Sequence, residues 1–206
     1  MTGAVVAHRT LNPLVLGSNP RSPIFRFYAI MISLVTGATR SGKSEWAELL
    51  ALRSQKSVIY IATATRYPDD AEWEDRLQKH RDRRPENWQT LEVPIELAKS
   101  ILEIQGDTYI LVDSLGTWLA NSLDCDEETW LEIEQKLIES IQACTVDITF
   151  VSEEVGWGLV PEYKLGRIFR DRLGGLSRKI GAIADAVYLV TGGYAINLTK
   201  IGEKLP

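Results

Sequence analysis

The octet Gly37-Ala38-Thr39-Arg40-Ser41-Gly42-Lys43-Ser44 satisfies the pattern G-x-x-x-x-G-K-[ST] at every required position. Its chemistry is phosphate binding. Glycines at 37 and 42 let the main chain curl until its N–H groups face an anion, and a following helix aims the positive end of its dipole at the same point. Lys43 supplies a mobile charge for the β and γ phosphates of a nucleotide, and the Ser44 hydroxyl a ligand for Mg²⁺. The competing reading is a glycine-containing strand-to-helix turn that matches by chance.

A second candidate is His80, the one histidine outside the first thirty residues. It lies in a charged run, residues 69–84, in which acids lead and bases follow, the order that complements a helix dipole; Pro85 ends the run. Trp73, Leu77, His80 and Arg84 fall at helical spacing and so share one inward stripe, with Lys79, Arg81 and Arg83 nearby. One reading is a solvated helix with an incidental histidine. The other is a nucleophile: a neutral imidazole can attack a nucleotide α-phosphorus to give a phosphoramidate, and surrounding cations disfavour the imidazolium and neutralise phosphate charge.

A third candidate, Asp113, closes the apolar run 108–113. It is placed either to hold the Mg²⁺ shell beside a triphosphate or to cap the next helix. Ala62, Thr63 and Ala64 end another β-branched run, 58–63, and either approach the nucleotide or simply finish a strand.

These residues need a scaffold that sends several strand ends to one edge. Residues 32–35 read as a strand before the glycine loop and 45–52 as a helix after it. Residues 88–93 read as a strand, 95–104 as a helix, 114–144 as helical, 147–152 and 186–191 as strands, and 194–201 as an edge hairpin. Alternating strands and helices predict one α/β domain with a mostly parallel sheet covered on both faces, a phosphate-loop NTPase-like domain over residues 31–206. The 206 residues suffice for its core.

Residues 1–30 stand apart. They contain Arg9, Arg21 and Arg26, no acid, and successive turn signals; the reading is a leader outside the fold, with Met31 the natural start. The remainder carries 20 basic against 28 acidic side chains, a balance poorly suited to gripping nucleic acid and better suited to a small anion in a locally basic cleft. No run approaches a membrane span, and Cys125 and Cys144 lack metal-ligand spacing, so a reducing cytoplasm is the expected compartment.

Several segments in order, the octet, Tyr60-Ile61-Ala62-Thr63-Ala64, Arg76-Leu77-Gln78-Lys79-His80-Arg81, Arg84-Pro85, Trp88-Gln89-Thr90-Leu91-Glu92 and Leu111-Val112-Asp113-Ser114-Leu115, resemble the bifunctional adenosylcobinamide kinase and adenosylcobinamide-phosphate guanylyltransferase family of cobalamin biosynthesis. The segment 153–162 is similar to that family's Asn-Glu-Val-Gly-x-Gly-[IL]-Val-Pro stretch. The resemblance covers nearly all of residues 31–192 and departs from the family pattern at Ser152-Glu153, for Ser/Thr-Asn, and at Ser177-Arg178, for Asn-Gln.

The resemblance implies ATP or GTP as phosphoryl donor to adenosylcobinamide, with Mg²⁺ at Ser44 and Asp113. GMP transfer from GTP through His80 to adenosylcobinamide phosphate would then follow. It assigns GTP contacts to Ala62, Thr63, Ala64, Arg81, Asp82, Arg83, Arg84 and Glu92, and a homo-oligomer, often a trimer. A kinase for another small alcohol and a nucleotide-sensing binding protein are the alternatives.

Overall fold

The computed structural model describes residues 30–66 and 69–205, so the proposed leader, apart from Ile30, lies outside the described residues. The elements follow in the order β1 (Ile32–Gly37), α1 (Lys43–Ser54), β2 (Ser57–Ala62), α2 (Ala71–Asp82), β3 (Gln89–Glu92), α3 (Leu97–Glu103), β4 (Thr108–Asp113), α4 (Leu115–Ala120), α5 (Glu127–Ala143), β5 (Asp147–Glu153), α6 (Lys164–Ile183), β6 (Ala186–Thr191), β7 (Tyr194–Asn197) and α7 (Leu198–Ile201). The strands form one sheet in the order β3-β2-β4-β5-β1-β6-β7, parallel throughout except for the last pair.

Each face of the sheet has its own core. Ile32, Leu34, Ile61, Val112 and Phe150 pack under α3 to α6, while Val35, Tyr60, Leu111 and Val151 pack against Ala47 and Ala51 of α1. Burial on both faces explains why the strands read as continuous apolar runs rather than alternating ones. The small alanines let α1 lie close to the sheet, which brings the start of that helix over the ends of β1 and β4.

Two sequence expectations change at their edges. The helical stretch 114–144 is two helices, because Ser114 caps α4 and Asp126 accepts from Thr129 N to start α5 afresh. The edge hairpin is confined to β6 and β7, turned through Gly192 and Gly193, both at positive φ. Residues 198–201 instead form a helical turn capped by Asn197.

Candidate active site

The glycine octet joins β1 to α1 as its sequence implies. Gly42 stands at φ 91° as the N-cap of α1, and Arg40 also takes a left-handed conformation at φ 60°. Gly37 is required for a different reason: a Cβ there would lie 2.5 Å from both the Val190 carbonyl oxygen and Ser41 Oγ. Lys43 is buried and rests its Nζ 3.4 Å from the Ala38 carbonyl, while Ser41 Oγ is buried with no hydrogen-bond partner among the described residues. A spare donor and a curled backbone at a helix start fit a phosphate chain.

Facing the loop is α2. Trp73, Leu77, His80 and Arg84 are all half-buried, the shared stripe their spacing predicts, but no residue of α2 is fully buried. Between the two elements lies a cleft of about 390 Å³, with Arg40, Gly42, Lys43 and Ser44 on one side and Lys79, His80 and Arg83 on the other. Arg76 also faces this space, as do the acids Glu45, Glu72 and Asp75, so five cations stand against three carboxylates. That local surplus suits an anion in a protein whose net charge is −5.

His80 Nδ1 lies 3.7 Å from Asp113 Oδ2 and 3.4 Å from Arg83 Nη2. This revises the expectation of a purely cationic setting. Lys79 pairs with Asp75, Arg81 with Glu92, and Arg84 lies 3.6 Å over the Tyr60 ring, so the imidazole sits between one guanidinium and one carboxylate. Arg83 is itself held by Glu48 at 3.0 Å and Glu45 at 3.4 Å, tying the end of α2 to α1. Burial pushes the Glu48 carboxyl up, against the pull of Arg83.

Asp113 is the buried hub. Burial alone pushes its carboxyl up. The nearby His80 imidazole, the hydrogen bond from Tyr60 and the Ser44 hydroxyl outweigh that, holding it below its ordinary value. The Tyr60 hydroxyl donates to it at 2.7 Å and is kept protonated, first by its own burial and then by the carboxylate. The capping alternative for Asp113 is answered by Ser114, whose side chain caps α4 in its place. An ionised carboxylate beside a serine hydroxyl is a hard-oxygen pair of the kind Mg²⁺ takes together with nucleotide phosphates.

Tyr60 was not predictable as part of the site, because its partner lies 53 residues away and meets it only through the pairing of β2 with β4. Tyr60→Phe removes one donor to Asp113, so its carboxyl rises. The acid limb of the pH–rate profile for phosphoryl transfer is expected to move to higher pH; an unmoved limb would count against Asp113 as the titrating group.

The other sequence candidates divide. Thr63 is fully buried, and its hydroxyl donates to the Ser114 carbonyl and accepts from Ser114 N. Its carbonyl accepts from Asn121 Nδ2, so its polar groups serve the β2–α4 junction. The Ala62 carbonyl accepts from Val93 N, and Ala64 is half-buried at the strand end. Arg81 and Glu92 pair with each other at 2.7 Å, Asp82 accepts from Gln78, and Arg84 also reaches Thr90 Oγ1. Ala38 and Thr39 are exposed on the loop.

Both departures from the family pattern have partners. Glu153 accepts from Ser114 Oγ at 2.6 Å and Gly116 N at 3.0 Å, fastening the end of β5 to the start of α4, and Ser177 Oγ meets Ser152 Oγ at 2.7 Å. Glu153→Ala is expected to lower unfolding free energy by about 1–3 kcal/mol in urea titration, since it strands a buried amide and loses two bonds to a charged acceptor.

A parallel sheet whose first strand ends in this loop, with an acid closing β4 and β5 lying between the two strands, defines a phosphate-loop NTPase. Residues 33–198 match the family described as cobinamide kinase / cobinamide phosphate guanyltransferase, and the chain belongs to it. It is 39% identical over 177 residues to the bifunctional adenosylcobalamin biosynthesis protein CobP of Pseudomonas aeruginosa, covering 85% of this chain and 100% of that one. To CobU of Salmonella typhimurium, of the same description, it is 37% identical over 183 residues, covering 82% and 99%. Among solved structures, a Pyrococcus horikoshii protein studied as PH0250 shares the fold at a TM-score of 0.52 and 8% identity, over 89% of this chain and 95% of that one. Among the described residues no helix is long and apolar enough to cross a membrane.

Proposed function

We propose that this chain carries out both reactions of its family in the one cleft. In the first, a nucleoside triphosphate lies in the octet and gives its γ-phosphoryl group to the aminopropanol hydroxyl of adenosylcobinamide. The loop N–H groups and Lys43 offset the charge that spreads over the transferring group. Ser44 and Asp113 would hold Mg²⁺, which when bound draws charge from the phosphate oxygens. Tyr60 keeps Asp113 ionised and aimed.

In the second reaction His80 attacks the α-phosphorus of GTP. A P–N bond forms, the bond from that phosphorus to the bridging oxygen breaks, and pyrophosphate leaves. An oxygen of adenosylcobinamide phosphate then attacks the same phosphorus, the P–N bond breaks, and adenosylcobinamide-GDP is released with the imidazole restored. Arg83, at 3.4 Å from the ring, would neutralise the guanylate.

One observation supports this reading above the rest: His80 faces the same cleft as Lys43 and Ser44. A kinase that used the octet alone would need no imidazole there. The test is a mass measurement of adenosylcobinamide after incubation with ATP, GTP and Mg²⁺. Addition first of a phosphate and then of GMP is the expected sequence. Phosphate addition with no GMP transfer would leave only a kinase, and an unchanged acceptor would remove both reactions.

A further inference from the structure

The loop from Glu154 to Tyr163, between β5 and α6, carries an apolar surface that the catalytic cleft does not use. Trp157 is 70% exposed, Leu159 97%, Val160 69% and Tyr163 78%. Such a cluster on a loose loop would be unremarkable, but this loop is held. Arg170 donates to the carbonyls of Gly156 at 2.5 Å and Gly158 at 3.3 Å, and Arg167 to those of Pro161 at 3.0 Å and Glu162 at 2.6 Å. Val155 packs against the core, and the approach of α6 is so close that a Cβ on Gly166 would lie 2.8 Å from Pro161 Cβ. Two arginines of one helix therefore hold the backbone while its large apolar side chains point to solvent. Pre-arranged apolar area of this kind is a binding surface, because its ordering cost is already met before a ligand arrives.

Its position identifies the ligand. Glu154 N donates to the Gly37 carbonyl at 2.9 Å, so the loop leaves the sheet at the first residue of the phosphate-binding octet. Trp157 follows three residues later, within about 11 Å of extended chain. The acceptor in both proposed reactions joins a short alcohol arm, which must reach the cleft, to a broad corrin macrocycle, which cannot enter it. The face of the corrin ring, a broad conjugated surface edged by amide arms, offers the apolar area that exposed side chains such as Trp157 and Leu159 can cover.

We infer that the Glu154–Tyr163 loop is the platform for the corrin ring, with Trp157 and Leu159 against its face and the alcohol arm directed over the octet. Because the arm receives the phosphate and then the GMP, one seat for the ring serves both reactions. This inference rests on the proposed function, and its test separates the two.

Trp157→Ser and Leu159→Ser are compared with the unsubstituted protein in three measurements. The KM for adenosylcobinamide is expected to rise about tenfold or more in each variant, as for loss of a buried anchor. Retention of GMP from GTP alone is expected to be unchanged, which also reports that the variants are folded. Phosphorylation of free 1-amino-2-propanol, an acceptor with no ring, is expected to be slow and equal in all three proteins. An unchanged KM for adenosylcobinamide would overturn the platform, and if sedimentation also showed a changed oligomer, a second copy of the chain would be the occupant. Failure of the unsubstituted protein to turn over adenosylcobinamide would overturn the functional reading beneath it.

Discussion

His80→Ala is expected to reduce guanylyl transfer by roughly 10⁴-fold or more, the scale on which a covalent nucleophile is lost, and to bring retained GMP to background. No other histidine among the described residues offers a substitute. Phosphoryl transfer should survive, because the octet does not depend on the imidazole for its shape. It should nonetheless change in one respect. His80 is a partner that holds the Asp113 carboxyl down, so its removal lets that carboxyl rise, and the acid limb of the kinase profile should move to higher pH. A variant with no transferase activity, a working kinase and a displaced acid limb would be difficult to explain by general unfolding. Loss of both reactions with a native unfolding transition would instead make His80 part of the triphosphate site.

Lys43→Ala is expected to act on both reactions. Its ammonium is buried at the first turn of α1 and has only the Ala38 carbonyl, at 3.4 Å, as a hydrogen-bond partner among the described residues, so it is poised for a phosphate rather than committed to an internal ion pair. Removing a charge that stabilises transferring phosphate typically costs about 10²–10³ in kcat. Phosphoryl transfer should fall by that factor. Formation of the GMP adduct should fall too, because the same cradle grips the triphosphate while His80 attacks. Steady-state kinetics for the first reaction and single-turnover labelling for the second measure these losses separately. A variant that lost the kinase yet formed the adduct at the original rate would place the two nucleotides in different sites.

Sequence reading placed the elements best where their determinants are local. The octet lies within eight consecutive residues, its glycines and lysine are fixed by covalent proximity, and the structure gives them the turn and helix start their types imply. The alternating strands and helices were equally legible because both sheet faces are covered. The charged helix could be placed from its spacing, but its electrostatic setting could not. Which cation stands beside His80 depends on Lys79, Arg81 and Arg84 finding other partners, and only Arg83 remains at the ring. Asp113 was visible as the acid ending a strand; its hydrogen bond from Tyr60 and its approach to His80 were not, since they arise when β2, β4 and α2 converge. The helix break at residues 121–126 was missed because apolar spacing resumes beyond it, although Asp126 is a favoured N-cap residue type just before that resumption. Thr63 lay at a strand end where ligands gather, and burial turned its hydroxyl into a structural link instead.

The loop carrying Trp157 and Leu159 shows the converse. Its two glycines and proline marked a turn, and nothing local revealed that Arg167 and Arg170 would hold its backbone while the apolar side chains faced outward. Arg170 lies 14 residues beyond Gly156, and the two meet only once α6 has docked.

The most direct measurement of the central claim is to incubate the protein with GTP and no corrinoid, digest it, and locate the adduct by tandem mass spectrometry. GMP attached to the peptide bearing His80, through a bond that acid cleaves and base does not, is the result predicted. An adduct on any other residue, or none under conditions where GMP reaches adenosylcobinamide phosphate, would contradict the covalent role of this imidazole.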